Sequence, residues 1–143
     1  MVDVSAKNET HRTAIATGTV RLSETVRQLV EDKALPKGDV FTVAKVAGIL
    51  AAKKCGALIP LCHPLPLTAV DVELALTHSG ITITATASCV GRTGVEMEAL
   101  TAVSVAALTV YDMCKSADKS MVIEGIRLLT KTGGKIGDWH AEL

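Results

Sequence analysis

The sequence predicts an α+β sandwich, with one antiparallel sheet and helices packed on one face. Three observations carry that prediction. Val70, Val72, Leu74 and Leu76, then Ile81, Ile83, Ala85 and Ala87, alternate with more polar neighbours, and His78-Ser79-Gly80 lies between the two runs. That is the pattern of a β-hairpin. The uncharged stretch Ala99–Tyr111 reads as the body of one long helix. Strand-like segments stand near both ends of the chain, before and after these elements.

Taken in order, Met1–Glu9 is polar and irregular. Thr13–Leu22 alternates small and β-branched residues and predicts the first strand. Ser23 reads as an N-cap, with Val26, Leu29 and Val30 as the apolar stripe of a short helix. Lys33–Gly38 holds Pro36 and Gly38 and is a loop. A second helix starts near Asp39, because Val43, Val46, Ala47 and Leu50 fall at the spacing of one helix face, and Gly56 ends it. Pro60, Pro64 and Pro66 forbid a helix or a central strand over Leu58–Leu67, leaving a stiff, extended loop. After the hairpin, Gly91–Gly94 is a turn and the long helix runs from about Val95 to Lys115. Met121–Thr130 predicts another strand; Gly133, Gly134 and Gly137 then break the chain before a last short strand near His140. This order suits a single ferredoxin-like domain spanning residues 1–143. The long helix is apolar around most of its circumference, through Leu100, Val103, Val105, Ala106, Ala107, Leu108 and Val110, and a second copy of the chain is its natural cover. A homo-oligomer is therefore expected.

Composition narrows the function. The 143 residues are 48% hydrophobic and 21% charged, and 15 Lys+Arg balance 15 Asp+Glu. A neutral chain lacks the positive field of a non-specific nucleic-acid binder. Phe41, Tyr111 and Trp139 are the only aromatics, too few for a base-stacking platform. Ala99–Tyr111 falls short of the ~20 residues that cross a bilayer, and the charged N-terminal residues Asp3, Lys7 and Glu9 do not form a secretory signal. Cys55, Cys62, Cys89 and Cys114 form no CxxC pair. They read as reduced, mostly buried thiols of a cytoplasmic protein.

Several residues could carry chemistry. Asp112 and Lys115 lie at i and i+3 on one face of the long helix's end. The bland reading is a surface ion pair. Following a 13-residue uncharged stretch, however, the pair would be partly desolvated and could serve as base and acid. His63 sits in the proline-stiffened loop as a structural ring or as a ligand-binding imidazole. Cys62 beside it is no dyad partner, since neighbours in extended chain point opposite ways. Glu96 and Glu98 open the long helix, where carboxylates commonly complement the helix dipole. Gly91-Arg92-Thr93-Gly94 could offer N–H groups to an anion, but it lacks the P-loop spacing. Arg12, Lys37 and the basic glycine-rich run Lys131–Lys135 are further cationic segments that could meet on a polyanion or remain solvated. Glu98 and Asp112 are fourteen residues apart, ~21 Å along a helix. One small ligand hardly reaches both, which favours a site shared between chains.

Six blocks together carry a resemblance: Met1–Ser5, Lys37–Phe41, Leu58–Leu65, Gly94–Thr101, Tyr111–Lys115 and Gly133–Lys135. In that order they resemble the molybdenum cofactor biosynthesis protein C family, the cyclic pyranopterin monophosphate synthases. The resemblance covers essentially the whole chain. It implies a ferredoxin-like fold, a homohexamer built as a trimer of dimers, and a site at the dimer interface. It implies a lyase that rearranges a 3′,8-cyclised dihydro-GTP, made by a radical enzyme, to cyclic pyranopterin monophosphate and releases diphosphate. It further implies that Asp112 and Lys115 are catalytic, and that Leu61, Cys62, His63, Met97 and Glu98 bind substrate. Lys37, Arg12 and Lys135 match basic positions that handle the triphosphate and the base. No resident cofactor is implied; Mg2+ with the triphosphate, and contact with the radical enzyme, stay open. Two rival readings are a non-catalytic nucleotide- or pterin-binding oligomer and a purely structural assembly subunit. Neither requires the Asp112–Lys115 pair.

Overall fold

The computed structural model describes residues 1–143. Strand β1 (Thr10–Arg21) is followed by helices α1 (Glu24–Glu31), α2 (Val40–Lys53) and the one-turn α3 (Cys55–Leu58). The hairpin β2 (Leu67–Leu76) and β3 (Gly80–Gly91) leads into α4 (Glu96–Cys114), then β4 (Val122–Thr132) and the two-residue β5 (Trp139–His140). The strands form one antiparallel sheet in the order β2-β3-β1-β4-β5. With its helices on one face, this is the expected α+β, ferredoxin-like arrangement, with β5 added at one edge.

Local chemistry sets the helix starts. Ser23 Oγ accepts from the Val26 N–H, and Asp39 accepts from the N–H groups of Phe41 and Thr42. Each side chain satisfies donors that the first helical turn leaves free. Along β1 and β3, every second residue is buried: Ala14, Ala16 and Val20, and Ile81, Ile83, Ala85, Ala87 and Cys89. That period puts one sheet face under the helices. Helix α4 lies over β1, β3 and β4 and also packs against α2.

Three expectations change. The stripe Val43, Val46 and Leu50 is not the core face of α2; these residues are 44%, 50% and 48% exposed. The buried face is Val40, Ala44, Gly48, Ala51 and Ala52. Small residues there let α2 approach α4 closely: a Cβ on Gly48 would stand 2.9 Å from the Ala102 carbonyl oxygen. Helix α2 also stops at Lys53, before Gly56, which lies inside α3. Finally, α4 obtains its second cover from α2 within the same chain, so its apolar circumference does not by itself demand a partner. Leu108, 58% exposed, is its main uncovered apolar residue.

Helix α4 is long and apolar enough to cross a membrane by length and composition, which the shorter count over Ala99–Tyr111 does not register. Its packing between α2 and the sheet makes it a core helix. The four cysteines are free; Cys55, Cys89 and Cys114 are buried, and Cys62 is half-buried.

Candidate active site

The candidate residues gather in three places, and α4 determines where. It runs unbroken for 19 residues, so its two ends lie ~27 Å apart at 1.5 Å per residue. The C-terminal end carries Asp112 and Lys115; the N-terminal end carries Glu96, Met97 and Glu98.

At the C-terminal end, Asp112 is held between two ammonium groups. Lys115 Nζ lies 2.9 Å from Oδ1, and Lys37 Nζ lies 2.8 Å from Oδ2. Lys37 reaches it from the loop that enters α2, so the triad joins two helices. All three side chains are about half exposed. The hydrogen bond from Lys37, followed by that from Lys115, holds the Asp112 carboxyl at about 2, and Asp112 raises the Lys115 ammonium above its usual range. The expected desolvation is absent in the single chain. The ion pairing moves base and acid apart instead of toward neutrality. A carboxyl lowered from 3.8 to about 2 adds stability that is full above the unfolded value and vanishes as pH falls through the folded one. Asp112→Asn should therefore be less stable than wild type near neutrality. That gap should close on acidification toward pH 2, as urea midpoints across pH would show.

At the N-terminal end, Leu61, Cys62, His63, Met97 and Glu98 line a cavity of about 350 Å3 together with Val2, Val4, Lys7 and Glu96. The sequence-predicted substrate segments thus meet. His63 Nε2 lies 2.7 Å from the Val2 carbonyl oxygen, so the ring ties the N-terminal segment to the cavity wall. Glu98 is 3% exposed and makes no ion pair. Burial pushes its carboxyl above the ordinary range, and the nearby Glu96 adds to the effect. It is a side chain suited to carry a proton in a dry wall.

A second cavity, of about 590 Å3, adjoins the first through Lys7, which lines both. Arg12, Lys131, Lys135, Gly133 and Gly134 form its walls. Arg12 is 6% exposed, donates Nε–H to the Gly91 carbonyl at 2.9 Å and has no carboxylate partner. A buried guanidinium without an acid is costly unless an anion completes it. Gly133 and Gly134 both have φ near +90°, and a Cβ on Gly134 would collide with the Arg12 guanidinium. Glycine is therefore what lets this turn close over the arginine.

Arg12 and Lys135 come together as the sequence suggests, but Lys37 does not join them; it belongs to the Asp112 cluster. The structure adds two cations. Lys131, which lines the second cavity, is bridged at 3.5 Å to Glu96, which lines the first, and it occurs in the same basic glycine-rich run as Lys135. Lys7 carried no signal beyond its charge. No three His, Cys, Asp or Glu side chains cluster as a metal cage.

Comparison with known proteins supplies the context. A model described as the MoaC family matches residues 1–134. A cyclic pyranopterin monophosphate synthase of Novosphingobium aromaticivorans is 62% identical over 141 residues, covering 99% of this chain and 90% of that protein. One from Rhodospirillum rubrum is 58% identical over 143 residues, covering 99% and 86%. One from Corynebacterium glutamicum strain R is 56% identical over 142 residues, covering 99% and 91%.

Proposed function

The chain belongs to the MoaC family, and from that premise we propose that it is a cyclic pyranopterin monophosphate synthase of molybdenum cofactor biosynthesis. Its substrate is a small molecule, (8S)-3′,8-cyclo-7,8-dihydroguanosine 5′-triphosphate. The products are cyclic pyranopterin monophosphate and diphosphate. The observation that carries this reading is the cavity walled by Arg12, Lys7, Lys131 and Lys135, opening beside the cavity of His63 and Glu98. A triphosphate and its attached ring system need adjoining polyanion and base pockets.

The roles follow from the chemistry. Arg12, Lys131 and Lys135 hold the phosphates, and their fixed charge stabilises the negative charge that builds on departing diphosphate. His63, Leu61, Cys62, Met97 and Glu98 orient the cyclised purine. Asp112 and Lys115 perform the proton transfers of ring opening and pterin closure. In the open single chain they are held as a weak base and a weak acid. A partner subunit and substrate that cover the triad would desolvate it, raising the Asp112 carboxyl and lowering the ammonium groups toward the working range. This places each site between two chains, the C-terminal end of α4 from one and the N-terminal end from another, in a homohexamer arranged as a trimer of dimers. The exposed apolar stripe of α2, Val43, Val46 and Leu50, is surface that such an assembly would cover. The reaction needs no resident cofactor, and any Mg2+ enters on the triphosphate. The enzyme works in the cytoplasm, where its GTP-derived substrate is made.

The test is turnover of the purified cyclised dihydro-GTP, followed by diphosphate release and by oxidation of the product to its fluorescent pterin. Both signals are expected. Binding without either would favour the non-catalytic nucleotide-binding reading.

A further inference from the structure

Residues Met1–Glu9 precede β1, and all but Val4 are exposed. One hydrogen bond ties them to the rest of the chain, from His63 Nε2 to the Val2 carbonyl oxygen at 2.7 Å. Segments held this lightly open at little cost. The segment nevertheless has a shape. Asp3 accepts from the Ser5 N–H at 2.9 Å, and the Lys7 N–H donates to the Val4 carbonyl at 3.0 Å. A turn therefore stands between the Val2 tether and the start of β1. It places Lys7 at the junction of the two cavities, as the only residue that lines both. Val2 and Val4 line the cavity of His63 and Glu98, and Ala6 and Asn8 line that of Arg12. Lys7, Arg12, Lys131 and Lys135 wall the second cavity, and no Asp or Glu does. Of these four only Lys131 makes an ion pair. Like charges around an empty pocket repel, and a multivalent anion reverses the sign. Arg12 and Lys131 are fixed on β1 and β4. Lys7 stands on the segment that can move.

We propose that Met1–Glu9 is a strap that closes over bound substrate, drawn in by Lys7, whose ammonium bridges the phosphate pocket to the base pocket. The inference deepens the synthase reading and rests on it for the identity of the substrate; the anion that Lys7 takes is a di- or triphosphate, whatever is attached to it. Val2 and Val4 travel with Lys7, so filling the phosphate pocket also tightens the wall of the base pocket. The His63 bond to Val2 holds the far end of the strap in register while Lys7 engages.

The test is trypsin cleavage after Lys7 in the full-length protein, read by intact mass as loss of Met1–Lys7. Without ligand the strap opens and this bond is cut. Inorganic diphosphate at about ten times its Kd should slow the cut about tenfold, because only the unliganded fraction presents Lys7 to the protease. Cleavage after Lys33, in the loop between α1 and α2, should stay unchanged and controls for any effect on trypsin itself. In turnover of the cyclised dihydro-GTP, Lys7→Gln should raise KM about tenfold, the scale of one charged hydrogen bond, and leave kcat within about twofold. Lys7→Arg, which keeps the cation, should restore KM. Lys7 is exposed, so neither substitution threatens folding. A bond after Lys7 that is cut equally fast with and without diphosphate, or is never cut, would overturn the proposal, as would a Lys7→Gln protein with the wild-type KM. Diphosphate protection in a chain that never turns over the cyclised GTP would sink the synthase reading and leave the strap standing. Turnover without protection would do the reverse.

Discussion

Lys115→Ala is expected to lower kcat by ~10^3 or more, the upper range for a positioned acid–base group, while substrate affinity changes only a few-fold. The side chain is half exposed and contributes nothing to the core, so its loss should hardly affect folding. Asp112 keeps its second partner, since Lys37 lies 2.8 Å from its other oxygen. What disappears is one of the two ammonium groups within reach of Asp112, the one that sits at the end of α4 itself. Lys115→Arg provides the control. It keeps a cation beside Asp112, but a guanidinium does not deprotonate in the working range. If Lys115 moves protons, Arg rescues binding and stability without rescuing kcat. If Lys115 only supplies charge, Arg restores most of the rate. Diphosphate release under saturating and limiting substrate separates the two. Equal losses in kcat and in affinity for the Ala variant would remove the catalytic role.

The fold is readable in the sequence wherever one periodicity dominates. The hairpin alternation over Val70–Ala87 and the caps Ser23 and Asp39 place β2, β3, α1 and α2 without tertiary information. Helix α2 shows where periodicity misleads. Val43, Val46 and Leu50 form an aliphatic stripe at helical spacing, and a stripe of that kind normally faces the core. In this chain the core face is Ala44, Gly48 and Ala51, because α4 passes too close for anything larger. Depth of contact between two helices is a tertiary quantity, and side-chain size on one helix does not reveal which of two apolar faces meets it.

The site was legible in a similar, uneven way. Pairing of Asp112 with Lys115 follows from i,i+3 spacing, but the third member, Lys37, is 75 positions distant and arrives only through the packing of α2 on α4. The convergence of Arg12 with Lys135 depends on β1 pairing with β4, which puts Thr13 opposite Thr132. The low Asp112 carboxyl is set first by the hydrogen bond from Lys37, whose arrival no local spacing encodes. One inference from arithmetic alone did hold: a continuous α4 keeps Asp112 and Glu98 apart, so residues that resemble a single family site do not meet within one chain.

That separation gives the second large expected effect, recovery of activity from two dead variants. Lys115→Ala disables the C-terminal cluster and His63→Ala the N-terminal cavity. Each homo-oligomer should be nearly inactive. If the proposed pair is isologous, each of its sites takes the C-terminal end of α4 from one chain and the N-terminal end from the other. A mixed pair then contains one site with both lesions and one with neither. With random assortment half the pairs are mixed, so about a quarter of wild-type activity should return. The gain is from almost nothing, and no single-chain site can produce it, because there every site carries one lesion whatever its neighbours are. Co-expressing the two variants with different affinity tags and purifying through both selects mixed oligomers and raises the expected recovery. Doubly tagged oligomers that remain inactive would mean that the two ends of α4 serve different sites. The Asp112 triad would then have to act on a ligand other than the one held by His63 and Glu98.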